Sequence, residues 1–249
     1  MNNAMRYAMV GFVMVAGLLA GRSEASVVIG GTRVVYPAQD REVTVKISNE
    51  GKTPSLVQVW LDDGDVNSTP DKAKVPFTVT PPIFRVDPDK AQTIRLSYTQ
   101  EPLAKDKETL FWINVLEVPP KAANADGRNM LQFAFRTRIK LFFRPDGLAG
   151  DAKSAQDKLT WKLVAGEGGK GWALQADNPT PYYVSVASAA IHVDGRSIEN
   201  AEGGTVAPMS STTIALDGLN TRPTGDVQVQ YKAINDYGAV GSFTKSLTP

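Results

Sequence analysis

The stretch N-M-L-Q-F-A-F-R-T-R-I-K-L-F-F-R-P, from Asn129 to Pro145, decides how this chain is read. Its residues alternate. Leu131, Phe133, Phe135, Thr137, Ile139, Leu141 and Phe143 fall on one side of an extended chain; Gln132, Ala134, Arg136, Arg138, Lys140, Phe142 and Arg144 fall on the other. A period of two predicts a β-strand with one apolar face. The strand is long against a usual length of about five or six residues, and Pro145 ends it because proline cannot donate to a ladder. Its large apolar side chains are either covered by their own domain or offered to something else. Alternation alone makes the first the more ordinary outcome.

Outward from this stretch the chain is rich in short strand patterns. On its N-terminal side lie Val27 to Tyr36, read as one strand interrupted at Gly30-Gly31, then Glu42 to Ser48, Leu56 to Leu61, Phe77 to Val86, Ala91 to Tyr98 and Leu110 to Val118. Asp62 to Pro76 reads as a long polar loop, and Pro81-Pro82 as an extended or bulged edge. After Pro145, the Gly, Ala, Asp and Lys of Asp146 to Asp157 read as a hinge. Seven further strand candidates follow between Leu159 and Ser246, separated by Gly, Asn, Asp and Pro. No long helical period appears. Short strands at regular spacing predict β-sandwiches, and two sets split near residue 146 predict two domains of about 100 to 120 residues each.

Composition narrows the chemistry. The 249 residues are 42% apolar, enough for packed cores, and include no cysteine, so disulfides, thiolate nucleophiles and lipidation of cysteine are excluded. His192 is the single histidine, so any histidine-dependent triad must use it. Tyr7 to Ala20, preceded by Arg6 and followed by Ser23-Glu24-Ala25, has the pattern of a cleaved export signal over residues 1–25. The chain has 27 basic and 26 acidic residues, and loss of Arg6, Arg22 and Glu24 leaves 25 of each. A neutral mature chain argues against nucleic-acid binding, and the absence of a second long apolar run argues against membrane insertion.

Enzymatic readings find little support. No G-x-S-x-G is present, and Gly169-Lys170-Gly171 lacks the spacing of a phosphate loop. Asp62, Asp63 and Asp65 fail the calcium-loop pattern and read as solvated loop charges. No catalytic residue, cofactor or metal site is predicted. Two alternatives stand beside a strand-presenting protein: a secreted β-sandwich hydrolase, which would need a nucleophile–base pair, and an exported two-domain β-sandwich adhesin or receptor-binding module, which would use its loop tips.

Several runs resemble the PapD-like periplasmic chaperones of pilus assembly. They are T-R-V-V-Y (Thr32 to Tyr36), P-F-T-V-T-P-P-I-F-R-V (Pro76 to Val86), K-E-T-L-F-W-I-N-V-L-E-V-P-P (Lys107 to Pro120), R-I-K-L-F-F-R-P (Arg138 to Pro145), N-P-T-P-Y-Y (Asn178 to Tyr183), V-A-P-M-S (Val206 to Ser210) and I-N-D-Y-G-A (Ile234 to Ala239). They keep the family's order across nearly the whole mature chain. The resemblance implies an all-β chain of two immunoglobulin-like β-sandwich domains in a boomerang arrangement, a capping domain over 26–146 and a second over 147–249. It also implies an ATP-independent periplasmic chaperone that completes unfinished pilin subunits with its own strand and passes them to an outer-membrane usher.

The resemblance extends to particular residues. It makes Leu131, Phe133 and Phe135 the donor side chains that fill the pilin groove, each worth roughly 1.5–3 kcal/mol when buried. Arg33 and Lys140 match the pair that binds the pilin's C-terminal carboxylate, chemistry suited to a guanidinium fork and an ammonium point charge. Glu108, Arg144 and Asp236 match an ionic cluster tying the two domains together. Short Lys121 to Arg128 and the lack of cysteine resemble the short-loop subgroup. An exposed donor strand implies a protective device in the free protein, a self-capping homodimer or cover by a flexible loop.

Overall fold

The structure, a computed structural model, describes residues 26–120, 133–169, 171–193, 196–223 and 227–247. Leu131 and the segments read as an export signal and a short loop lie outside the described residues.

The chain is all-β, two immunoglobulin-like β-sandwiches. The first is built from β1 (Val27–Ile29), β2 (Arg33–Pro37), β3 (Val43–Asn49), β4 (Ser55–Asp62), β5 (Phe77–Thr80), β6 (Ile83–Val86), β7 (Ala91–Tyr98), β8 (Thr109–Val118) and β9 (Phe135–Arg144). One sheet runs β1-β3-β7-β5 and the other β2-β9-β8-β4-β6. Period-two alternation drives this: Val45 and Ile47 on β3, Val57 and Val59 on β4, Ile94 and Leu96 on β7, and Ile113 and Val115 on β8 all turn into one core. Tyr36, Phe77 and Phe143 fill its far end, the rings of Tyr36 and Phe77 meeting edge-on at 5.4 Å.

Two stretches expected to be single strands are each divided between the sheets. Val27 to Tyr36 breaks at Gly30-Gly31, so β1 pairs antiparallel with β3 while β2 pairs parallel with β9. Phe77 to Val86 breaks at the prolines, where Thr80–Pro81 is cis, so β5 pairs with β7 and β6 with β4. Glycine and proline do more here than interrupt: they let one continuous apolar run serve both layers of the sandwich.

The second sandwich holds β10 (Thr160–Ala165), β11 (Trp172–Asn178), β12 (Val184–Val193), β13 (Arg196–Asn200), β14 (Gly204–Val206), β15 (Ser210–Ala215), β16 (Gln228–Ile234) and β17 (Val240–Ser246). Its sheets run β10-β11-β15 and β13-β12-β16-β17, with β14 beside β12. Trp161, Leu174, Ile191, Val229 and Tyr231 form its centre. The expected hinge is only partly one. Within it a helical turn, α1 (Ala152–Ala155), is capped by Asp151, whose side chain accepts the Lys153 amide. Ala155 is buried and anchors that turn to the second core. Small residues read as linker are here the ones that fit against a packed sheet.

Candidate functional site

β9 crosses the edge of the first core. Ile139, Leu141 and Phe143 are buried in it. Phe133 and Phe135 continue the same row of side chains but are 61% and 56% exposed, and Thr137 between the two groups is exposed as well. The two phenylalanine rings lie 6.5 Å apart. The stretch thus realises both readings left open by its alternation: the second half of β9 is core, and Phe135 at its start, with Phe133 just before it, is uncovered.

The ladder changes at the same place. β8 pairs with β9 along its whole length, from Glu117↔Phe135 to Thr109↔Phe143. β2 joins the other edge only from Arg33↔Lys140 onward. Over residues 135–139 that second edge has no strand partner among the described residues.

At the point where β2 joins, Arg33 and Lys140 are neighbours across the parallel ladder, both on the sheet face turned away from the first core. Lys140 Nζ reaches the second sandwich, donating to Thr205 Oγ1 at 2.5 Å and Ser185 Oγ at 3.2 Å, and sits 5.7 Å from the Trp112 ring centre. Arg33 Nη1 donates to the Ile234 carbonyl at 3.1 Å, while its Nε is buried without a hydrogen-bond partner. Burial, and then the charge of Arg33, push the Lys140 ammonium down to about 8. Burial also lowers the Arg33 guanidinium, with Asp236 opposing. Two cations therefore share a partly buried cleft and lack a carboxylate close enough to pair with either among the described residues.

Glu108, Arg144 and Asp236 come together between the sandwiches. Arg144 Nε donates to Glu108 Oε1 at 2.6 Å, and its two terminal nitrogens grip the Asp236 carboxylate at 2.8 and 3.1 Å. Glu108 is buried; its other oxygen accepts the Tyr183 amide at 2.7 Å, and its own amide donates to the Pro181 carbonyl at 2.9 Å. Burial raises the Glu108 carboxyl above its usual value even with Arg144 pulling it down. For Arg144 burial alone would lower the guanidinium, but the hydrogen bonds to Asp236 and the charges of Glu108 and Asp236 raise it instead. Phe142 packs on Tyr183 at 5.7 Å across the same boundary.

A second polar cluster was not foreseen from the sequence, and it corrects the reading of Asp62. That residue is not a solvated loop charge but is 1% exposed. Asn114 Nδ2 donates to it at 2.6 Å, Ser68 Oγ at 2.9 Å, the Gly64 amide at 2.8 Å and Arg138 Nη2 at 2.6 Å. Burial would raise its carboxyl, but the bonds from Asn114, Gly64 and Ser68 and the charge of Arg138 hold it below the usual range. Asn114 Oδ1 accepts Arg136 Nη2 at 2.6 Å and Arg138 Nε at 3.0 Å. The available signal was Asn114 itself, an amide in the middle of the apolar run L-F-W-I-N-V-L. His192, by contrast, is an exposed residue of β12.

Comparison with known proteins gives the family of the chain. Residues 26–149 match the family model described as "Pili and flagellar-assembly chaperone, PapD N-terminal domain", and residues 154–245 match "Pili assembly chaperone PapD, C-terminal domain". The chain is 42% identical over 244 residues to the chaperone protein FimB/FhaD of Bordetella pertussis, covering 96% of this chain and 95% of that one. Among solved structures it is similar to the YadV chaperone, with a TM-score of 0.77 and 42% identity over 90% of this chain and 100% of that one. It is also similar to a chain of the Salmonella enterica SafA pilin–SafB chaperone complex, with a TM-score of 0.72 and 28% identity over 91% of this chain and 99% of that one. The chain belongs to the PapD-like pilus-assembly chaperones, a family of chaperones and not of enzymes.

Proposed function

We propose that this protein is an ATP-independent periplasmic chaperone that captures pilin subunits by donor-strand complementation and delivers them to an outer-membrane usher. The observation that carries the reading is the exposed first half of β9. Phe135 on the strand and Phe133 just before it form an apolar pair, beside a ladder edge with no strand partner among the described residues. An incomplete sandwich that lacks a strand needs both: side chains for its groove and main-chain donors and acceptors for its edge. Leu131, two residues before Phe133 in the sequence, is the third donor side chain of this reading.

Arg33 and Lys140 complete the device by binding the C-terminal carboxylate of the subunit. The unpaired Arg33 Nε and the depressed Lys140 ammonium are cationic groups in a cleft short of counter-charge, which a carboxylate supplies. Fixing one chain end sets the register of everything that follows, and a slip of one residue turns every donor side chain to the wrong face. Glu108, Arg144 and Asp236 set the angle between a capping domain, 26–146, and a second domain, 147–249. Residues 1–25 direct export and are removed. In the free protein the phenylalanine row is protected by a self-capping homodimer or by a loop of the same chain.

A photo-cross-linking residue in place of Phe135 tests the reading. It should couple to a co-expressed pilin, whereas the same residue in place of exposed Val66 should not. Equal coupling from both positions, or none from Phe135, would refute it.

A further inference from the structure

The face of β9 opposite Phe135 is fastened to the rest of the sheet by side-chain hydrogen bonds. Arg136 and Arg138 lie on that face. Arg136 donates to Asn114 Oδ1 at 2.9 and 2.6 Å, to Ser68 Oγ at 3.1 Å and to the Val66 carbonyl at 2.9 Å. Arg138 donates to Asn114 Oδ1 at 3.0 Å and to Asp62 Oδ1 at 2.6 Å. Each guanidinium also lies over an indole, Arg136 at 4.8 Å from the Trp60 ring centre and Arg138 at 4.7 Å from Trp112. Asp62 and Asn114 are fully buried, on β4 and β8, so the anchor points belong to the rigid part of the sheet.

These bonds fall where the strand needs them. Over 135–139 β9 has one ladder neighbour instead of two among the described residues, and on its apolar face Phe135 and Thr137 are exposed before Ile139 enters the core. A one-sided strand of this kind frays readily, because little buried surface opposes local opening. Main-chain bonds to β8 alone also specify register weakly where the side chains of the core-side row, here Phe135 and Thr137, are not buried. A planar guanidinium fork held on a fixed amide oxygen has one geometry, and two forks at alternate positions define one register.

We propose that Asp62, Asn114 and Ser68 are positioning residues that act through Arg136 and Arg138 to hold the exposed half of β9 extended and in register before any subunit arrives. The inference rests on the donor-strand reading above. A strand already ordered loses less conformational freedom on capture than one that must order during it. The cluster is therefore a preorganising device on the back of the binding surface, touching no part of the captured subunit.

Hydrogen exchange of the full mature chain, without any subunit, tests this. In an Arg136→Lys/Arg138→Lys double variant the charges remain but the forks are lost. The β8-paired amides of residues 135–139 should then exchange at least about tenfold faster, with Ile47 and Ile94 of the other sheet keeping wild-type protection. No acceleration at 135–139, or equal acceleration in both sheets, would overturn the proposal. Should the double variant fail to fold, Ser68→Ala is read by the same criterion, with an expected acceleration of about threefold confined to β9. A Phe133→Ser/Phe135→Ser variant separates the two ideas. If it refolds a denatured pilin as well as the wild type does, the donor-strand reading fails; if it loses that ability while the arginine variants leave exchange unchanged, only the positioning role fails.

Discussion

Phe135 and Ile139 lie on one face of β9, four residues apart, and the first sandwich ends between them: Phe135 is 56% exposed and Ile139 7%. The same chemistry, an apolar side chain at an inward position, is spent on folding at one residue and kept available at the other.

That contrast predicts a separation of stability from function. Ile139→Ala should destabilise the protein by about 2–5 kcal/mol, the usual cost of truncating a buried aliphatic side chain. Phe133→Ser/Phe135→Ser should shift stability by no more than about 0.5 kcal/mol at each site, as exposed substitutions do, yet abolish pilin capture. Denaturant midpoints and a capture assay on the same preparations check both.

The cleft predicts a pH dependence with a definite sign. The free Lys140 ammonium titrates near 8, below its ordinary value, because burial and Arg33 disfavour its charge. A bound carboxylate favours that charge and raises the value in the complex. Affinity should thus be full below pH 8 and fall above it, by up to about tenfold per pH unit until the value in the complex is reached. Lys140→Arg should flatten this part of the profile, since a guanidinium keeps its charge throughout. Titration calorimetry of subunit binding between pH 6.5 and 9.5 reads it.

Arg144 joins two carboxylates from different sandwiches, one of them buried. Arg144→Ala leaves Glu108 buried without its cation and should cost about 3–5 kcal/mol. Glu108→Gln/Arg144→Met removes both charges together and should recover part of that loss. Small-angle scattering should show a wider spread of interdomain angles in either variant than in the wild type, because the link from Arg144 to Asp236 is gone.

Much of this was legible in the sequence. The all-β class and the two sandwiches followed from period-two runs punctuated by Gly and Pro. Arg33, Lys140, Glu108, Arg144 and Asp236 could be singled out only through family resemblance, because isolated charges carry no geometric signal in one dimension. The structure shows what brings them together: Arg33 and Lys140 meet because β2 runs parallel to β9, and Asp236 reaches Arg144 from a turn after β16. The sheet switches at Gly30-Gly31 and Pro81-Pro82 were hidden, since a strand that changes partners keeps its alternation. Asp62 was misread because its neighbours, Asp63 and Asp65, are ordinary loop acids, and burial of one member of an acidic run depends on partners 52 and 76 residues away.

The most direct test of the central claim is a pull-down of the tagged mature protein from the periplasm of its own source while pili are being made, with mass spectrometry of what co-purifies. The account predicts a stoichiometric small β-rich subunit that is retained by wild type and lost in Lys140→Ala. A wild-type protein that brings down no such subunit, or one whose capture survives both Lys140→Ala and Arg33→Ala, would contradict it.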